Sequence, residues 1–506
     1  MTLRVTNTLS GEKEPFEPAD PESVLLYVCG LTVSAPAHLG HARLWVHADV
    51  MDRWLSARGY DVRHVENFTD VNEKIVAQIG TDERGDSEGE VARTFIRETI
   101  RDMRSLNLKR AEVYPRVSEH VPEIIDLVET LIEKGYAYES DGSVYFDVTA
   151  FEEYGKLSNQ NTDDLEEQGD PDERAEKRHP ADFALWKAGA VPPEDVANHR
   201  PADAESLDES SGETWDSPWG EGRPGWHIEC SAMSMSTLGE TLDIHVAGQD
   251  IAFPHNENEI AQSEAATGEP FARYWLHVRL LETDDEKMSS SLGNYATVDE
   301  AVAEIGANAV RTFLLSASYS QRQTYSDATI EEATERAERL ERAHERAVAA
   351  IDGPDTRAKI EDGELRESVA DARDAFETAM DDDFNTRAAL SALSGITTAL
   401  NAHLDANEEY DYRGLKTAIE AFEELGGDVL GLVFGDSGAD GAGGAGSDGT
   451  VRLADELVEL VLDVRESERV AGNYDRADDL RADLETLGVT IEDTDDGPRF
   501  DVGDAE

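Results

Sequence analysis

Only two of the 506 residues are cysteines, Cys29 in LLYVCGLTV and Cys230 in PGWHIECSAM. Shortly after Cys230, FPHNENE sets His255 and Glu259 at i and i+4, the spacing that puts two side chains on one helix face. Two thiols, an imidazole and a carboxylate make a ligand set suited to zinc. Buried, unliganded cysteines beside a surface His–Glu pair account for the same residues. A second group, PAHLGHAR, gathers His38, Gly40 and His41 where a strand hands over to a helix. Backbone N–H groups and the positive dipole end meet there, and two imidazoles add donors for an arriving phosphate. Gly40 leaves room for a flat base. Taken alone, two histidines near a helix start are a common coincidence. The third group, EKMSSSLGN, offers Lys287, Ser289, Ser290 and a glycine, suited to closing over phosphates and equally readable as a polar turn.

These groups need a scaffold that brings distant segments together. VLLYVCG (24–30) reads as a buried strand closing on glycine. ARLWVHADVMDRWLSARG then has helical spacing up to Gly59, and DVRHVENFTDV alternates like a second strand. That is a βαβ unit of a parallel sheet, whose ligands sit at the strand C-termini. LDIHVAG (242–248) resumes the sheet. Between them, residues 111–187 mix helices with a strand, GSVYFDV, and 188–214 are rich in proline, serine and acid, as in a solvated loop. From about 300 onward helices dominate, including NAVRTFLLSAS, IEEATERAERLERAHERAVAAI and FNTRAALSALSGITTALNAHL. GDSGADGAGGAGSDGT (435–450) has the composition of a flexible linker.

Composition bounds the setting. There are 110 acidic against 45 basic residues, a net charge of −65, on an apolar complement of 39% that is ample for a core. Such a surface suits concentrated salt, where self-repulsion is screened over about 3 Å at 1 M. No apolar run approaches the roughly 20 residues of a membrane span, and the N-terminus has no signal-peptide core. A cytoplasmic protein is expected, and in a reducing compartment a Cys29–Cys230 disulfide is disfavoured.

HLGH and KMSSS, in this order, resemble the HIGH and KMSKS motifs of class I aminoacyl-tRNA synthetases. YVCGLTV, NFTDVNEK, SPWGEGRPGWHIECSAM, FPHNENEIAQSEA, MDDDFNT and DRADDLRADLETLGVTIEDTDDGPRF extend the resemblance to the cysteinyl-tRNA synthetase family over nearly the whole chain. The resemblance implies an α/β Rossmann-like catalytic core over 1–110 and 215–300, split by a connective insertion (111–214, with its acidic loop at 188–214). It further implies a stem region (301–330), an all-α bundle that binds tRNA (331–434), the linker (435–450) and a small C-terminal anticodon-binding unit (451–506). It implies one zinc per chain on Cys29, Cys230, His255 and Glu259, binding the substrate thiol, and magnesium accompanying ATP. His38, His41 and Lys287 take catalytic roles; Gly40, Gly248, Asp250, Ser289 and Ser290 contact ATP; Thr32, Thr69, Trp226 and His245 line the cysteine pocket. The implied partners are ATP, L-cysteine and tRNA(Cys), acting on a monomer without membrane attachment. Two departures stand out: Ser290 replaces the second lysine of KMSKS, and Val246-Ala247 replace glycines of HGGGxD. Two rival readings are a mycothiol-pathway type cysteine ligase, which lacks the extended C-terminal region, and a non-catalytic zinc-stabilised RNA-binding protein.

Overall fold

The computed structural model describes residues 2–81, 84–160, 176–201, 204–283 and 296–435, together with the backbone of 489–494 and 497–502. The chain divides into two compact units, 1–436 and 437–506. In the second, strands Val489–Thr494 and Gly497–Val502 form an antiparallel hairpin.

The first unit is built on four parallel strands, β1 (Ser23–Val28), β2 (Asp61–Glu66), β3 (Leu242–Gly248) and β4 (Ala272–Val278), in the order β4-β3-β1-β2. Their apolar runs follow from burial on both faces. Helix α1 (Leu39–Ala57) crosses from β1 to β2 on one face, where Leu26 and Val28 join the core that contains Trp45, Val46 and Val50. Side chains alternate along a strand, so Tyr27 and Cys29 project to the other face. There they pack with Cys230, Ile260 and Trp275, carried by α3 (Trp226–Leu238), α4 (Glu257–Thr267) and β4. Strand alternation thus brings Cys29 to Cys230.

The insertion between β2 and β3 carries a five-stranded antiparallel sheet ordered Ala137–Ser140, Ser143–Phe146, Phe183–Ala188, Gly220–Pro224, Trp215–Ser217. Its last two strands lie past residue 214. The acidic stretch is not simply a solvated loop. Val191 and Val196 bury against Val76 and Ala77, and Arg200 donates to the carbonyls of Ala77 at 2.9 Å and Ile79 at 3.0 Å. Two aliphatic side chains among many acids suffice to anchor it.

Helix α2 (Glu88–Ser105) flanks α1, and after the sheet come α5 (Val298–Ile305) and α6 (Ala307–Leu315). The bundle follows as α7 (Asp327–Ile351), α8 (Gly363–Asp381), α9 (Thr386–Ala406) and α10 (Tyr412–Ala421). It shares one continuous apolar core with α1. Buried Arg311 of α6 reinforces the junction, pairing with Asp49 of α1 at 2.6 Å and donating to the Leu430 carbonyl at 2.9 Å. Three consecutive carboxylates at the end of α8 each hold a different element. Asp381 accepts from Trp54 Nε1 at 3.3 Å, Asp382 pairs with Lys13 at 2.7 Å, and Asp383 accepts from the Thr6 N–H and hydroxyl at 2.7 Å and from the Tyr319 hydroxyl at 2.6 Å. Asp383 and Phe384 both adopt positive φ, 67° and 48°, conformations that side chains disfavour and that these contacts hold in place.

Candidate active site

The ends of β1 and β2 come together because residue 30 is glycine: a Cβ there would lie 1.7 Å from the Asn67 carbonyl oxygen. The Asn67 side-chain oxygen accepts from the Gly30 N–H at 2.8 Å and the Tyr27 hydroxyl at 2.9 Å, and faces Cys230 Sγ at 3.8 Å. Beyond the strands, Thr32 and Thr69 continue the pairing, with the Thr69 N–H donating to Leu31 and the Val33 N–H to Thr69, both at 3.1 Å.

Cys29, Cys230 and His255 are buried, and their ligand atoms lie within 4.8 Å of one another. Neither cysteine is in a disulfide. Sγ–Sγ is 3.7 Å, and Cys29 Sγ lies 3.6 Å from His255 Nε2. The pair's hydrogen bond drives its thiols apart: Cys29, held protonated by bonding to Cys230 and by burial, is pushed well up, while Cys230 comes down to about 6. The Glu259 carboxylate stands 3.8 Å from His255 Nε2. His255 belongs to a turn, Ala252–Asn256, ahead of α4, so the His–Glu pair straddles a helix start rather than sharing a regular helix.

Around these ligands sits a second set of directed bonds. The Thr8 hydroxyl donates to His277 Nδ1 at 2.8 Å, His277 Nε2–H to the Asn256 oxygen at 3.0 Å, and the Asn256 amide to Glu259 at 2.6 Å. His245 Nε2 bonds Glu259 from the other side at 3.3 Å. Burial would raise the Glu259 carboxyl, but His245 and then His255 and Asn256 hold it below its ordinary range. His227 Nδ1 meets His255 Nδ1 at 2.9 Å, and burial first, then His255, keeps His227 neutral. Trp226, 40% exposed, lies over the His255 ring at 4.6 Å.

Cys29, Cys230 and His255 fit zinc on geometry as well as chemistry, while Glu259 stands outside this closest cluster and reaches it through His255. Tetrahedral zinc with Zn–S of about 2.3 Å and Zn–N of about 2.05 Å separates two sulfurs by about 3.8 Å and a sulfur from a nitrogen by about 3.6 Å. The observed separations are 3.7 and 3.6 Å.

At the start of α1 the two signature histidines cap the helix. His38 Nδ1 accepts from the Gly40 N–H at 3.0 Å, His41 Nδ1 accepts from the His38 N–H at 3.2 Å, and the rings stack at 3.8 Å. With each Nδ1 used as an acceptor, each neutral ring carries its proton on Nε2. Protonating either ring would break a cap bond. Burial, followed by the neighbouring His38, pushes His41 down to about 3. Gly40 has a local reason as well: a Cβ there would meet His38 Cε1 at 2.7 Å and Nδ1 at 2.8 Å. At the end of β3, Gly248 likewise leaves room for Asp250, whose Oδ1 would lie 2.8 Å from a Cβ.

His245 is fully buried, bonds Glu259 through Nε2 and stacks on Trp275 at 4.2 Å. Lys287, Ser289 and Ser290 lie outside the described residues. Asn67, His227 and His277 gained no role from sequence. Asn67 and His227 stand inside NFTDVNEK and WHIEC, but their partners are tertiary and no spacing rule points to them.

Residues 15–335 match the family of tRNA synthetases class I (C) catalytic domain, and residues 375–435 match the DALR domain. A cysteine–tRNA ligase of Haloarcula marismortui is 65% identical over 502 residues, covering 99% of this chain and all of the relative (100%). The chain belongs to the cysteine–tRNA ligase family. Another member, from Halobacterium salinarum, is 65% identical over 497 residues (98% of this chain, 99% of the relative), and one from Thermococcus onnurineus is 41% identical over 499 residues (98% of each). In fold the family chain resembles the methionyl-tRNA synthetase of Mycobacterium tuberculosis in complex with methionyl-adenylate, at TM-score 0.57 and 17% identity, covering 81% of this chain and 91% of that one. The architecture is that of a class I synthetase. The DALR match falls on the bundle, α8 to α10 and their sequel, ahead of the glycine-rich linker. Among the described residues, no helix is long and apolar enough to cross a membrane.

Proposed function

We propose that this chain activates L-cysteine with ATP and charges tRNA(Cys). The observation that carries the reading is the buried cluster of two thiols and an imidazole, Cys29, Cys230 and His255, with the Glu259 carboxylate 3.8 Å from the imidazole and a histidine-capped helix, α1, following β1. In the first step a cysteine carboxylate oxygen attacks the α-phosphorus of ATP, giving cysteinyl-adenylate and releasing pyrophosphate with its bridging oxygen. In the second, a hydroxyl of the tRNA terminal ribose attacks the adenylate carbonyl; AMP leaves with the C–O–P oxygen.

His38 and His41 present Nε2–H donors to the phosphate, preorganised by their caps, with burial keeping His41 neutral. Lys287 offsets charge on the leaving pyrophosphate, with Ser289 and Ser290 as hydroxyl donors. Gly248 and Asp250 border the nucleotide, while Thr32, Thr69 and Trp226 bound the amino-acid pocket. Cys29, Cys230, His255 and Glu259 would hold one zinc ion. Bound zinc supplies a soft Lewis acid that rewards sulfur over oxygen, which separates cysteine from serine better than shape alone. Asn67, Asn256, His227 and His245 orient the ligands, as outer-shell groups do in metal sites.

Magnesium accompanies ATP, the working form is a monomer in the cytoplasm, and the bundle with the residues beyond the linker engages tRNA. The DALR match weighs against a ligase confined to the core, and the family membership against a non-catalytic role. Pyrophosphate exchange and tRNA charging, each with cysteine and with serine, test the reading together with zinc content. Exchange that responds equally to both amino acids would overturn it.

A further inference from the structure

Although the whole chain has 45 basic against 110 acidic residues, the segment 91–110, VARTFIRETIRDMRSLNLKR, has six basic residues and two acidic ones. Four of the six, Arg93, Arg97, Arg101 and Arg104, are exposed on α2, following one another at i, i+4, i+8 and i+11. Successive members stand about 5–6 Å apart along one face, the spacing at which like charges repel. Long helices elsewhere in the chain avoid this by alternation: on α7, Glu332 pairs with Arg336 at 3.0 Å and Glu338 with Arg342 at 2.8 Å. On α2 the acids are engaged otherwise. Glu98 pairs with Arg84 at 3.3 Å, Glu90 accepts from the Asp86 N–H at 2.9 Å, and buried Asp102 meets only Arg101, at 3.5 Å. Among the described residues, Arg93, Arg97 and Arg104 have no carboxylate partner.

The stripe borders the reaction centre. Arg101 reaches Asp299 at the start of α5 at 3.6 Å. Thr297, two residues before it, pairs with His38, and the Val298 N–H donates to the Ala37 carbonyl at 2.9 Å. An RNA whose 3′ end enters the site at His38 and His41 must carry its backbone over neighbouring surface, in a chain whose acidic residues outnumber its basic ones by 110 to 45. We propose that the arginine face of α2 is a docking surface for the phosphate backbone of the tRNA near its 3′ end. In concentrated salt the repulsion of a −65 chain is screened beyond a few ångströms, while guanidinium–phosphate contacts at bonding distance persist. A short basic stripe then suffices where the whole-chain charge opposes RNA.

The inference rests on the tRNA-charging reading above. Its test combines Arg93→Gln, Arg97→Gln and Arg104→Gln in the full chain, with lysine at the same positions as the charge-retaining control. Direct binding of a tRNA(Cys) transcript, the KM for tRNA in charging and cysteine-dependent pyrophosphate exchange are measured across the salt range that preserves exchange. The glutamine variant is expected to bind tRNA several-fold more weakly, with a log affinity–log salt slope shallower by about three, at unchanged exchange, and the lysine variant to behave as wild type. Unmoved tRNA affinity and slope would overturn the proposal, as would a parallel fall of exchange and charging. So would a wild-type dimer that the glutamine variant dissolves at constant tRNA affinity, which would assign the stripe to a second copy. Absence of exchange in the wild-type chain would sink the charging reading instead, leaving transcript binding to decide the stripe.

Discussion

Replacing Gly40 with alanine separates helix stability from phosphate chemistry. The new methyl would stand 2.7–2.8 Å from the His38 imidazole, so that ring must swing away from the Gly40 N–H it now caps. Losing an N-cap costs about 1 kcal/mol. Alanine in place of glycine at the second helical residue returns up to about 1 kcal/mol in propensity. The two nearly cancel, and in a chain of this size the melting temperature should move by no more than about 2 °C. The displaced ring takes its Nε2–H donor away from the α-phosphate, a loss of roughly 10²–10³-fold in turnover. The zinc ligands are untouched, so zinc content and the KM for cysteine should hold. Thermal unfolding and cysteine-dependent exchange on the same preparation measure both sides. Combined with His38→Ala, the glycine substitution should add little further loss, because both remove one donor. Exchange within a few-fold of wild type for Gly40→Ala would refute the reasoning, since His38 would then neither need its cap nor serve the phosphate.

Cys230→Ser should lose zinc and cysteine-dependent exchange together, and His227→Ala, which removes only the partner of His255, should weaken zinc about 10–100-fold; metal titration reads both. Glu66 is buried, which raises it from 4.5 to about 7, so the folded chain keeps a proton the unfolded chain has lost. Stability should therefore fall as pH climbs from about 4.5 through 7, by about 3 kcal/mol for this group, and denaturant unfolding of Glu66→Gln should show a flatter profile. Truncation at Gly449 should lower charging and spare exchange, because the compact unit that holds the cluster and the histidine caps ends at Asp436.

The sheet was legible because parallel strands leave nearly unbroken apolar runs: LDIHVAG falls on β3 residue for residue, and VLLYVCG overlaps β1. The meeting of Cys29 and Cys230 was legible because cysteine is so scarce in this chain that two of them stand out. What escaped was decided by tertiary contact. Asn67 looks like any polar residue after a strand until Gly30 brings the neighbouring strand's end against it. His245 stands in the middle of β3, and only the register that sets Trp275 beside it and the approach of Glu259 reveal its bonds. The acidic stretch hid its two anchoring valines because charge dominates its composition. The order of helices was readable from their period, whereas the joint at Asp381–Asp383 depends on partners hundreds of residues away.

That joint has a consequence during synthesis. Thr6 is made well before the carboxylate that holds it, which follows 377 residues later. At about 5–20 residues per second, Thr6 waits roughly 20 to 75 seconds for Asp383. Until then the core lacks the fastening at its own beginning, however complete its sheet. The carboxylates at the end of α8 are thus made long after the sheet they help fasten, and a nascent chain stalled before α8 would expose an unfinished edge.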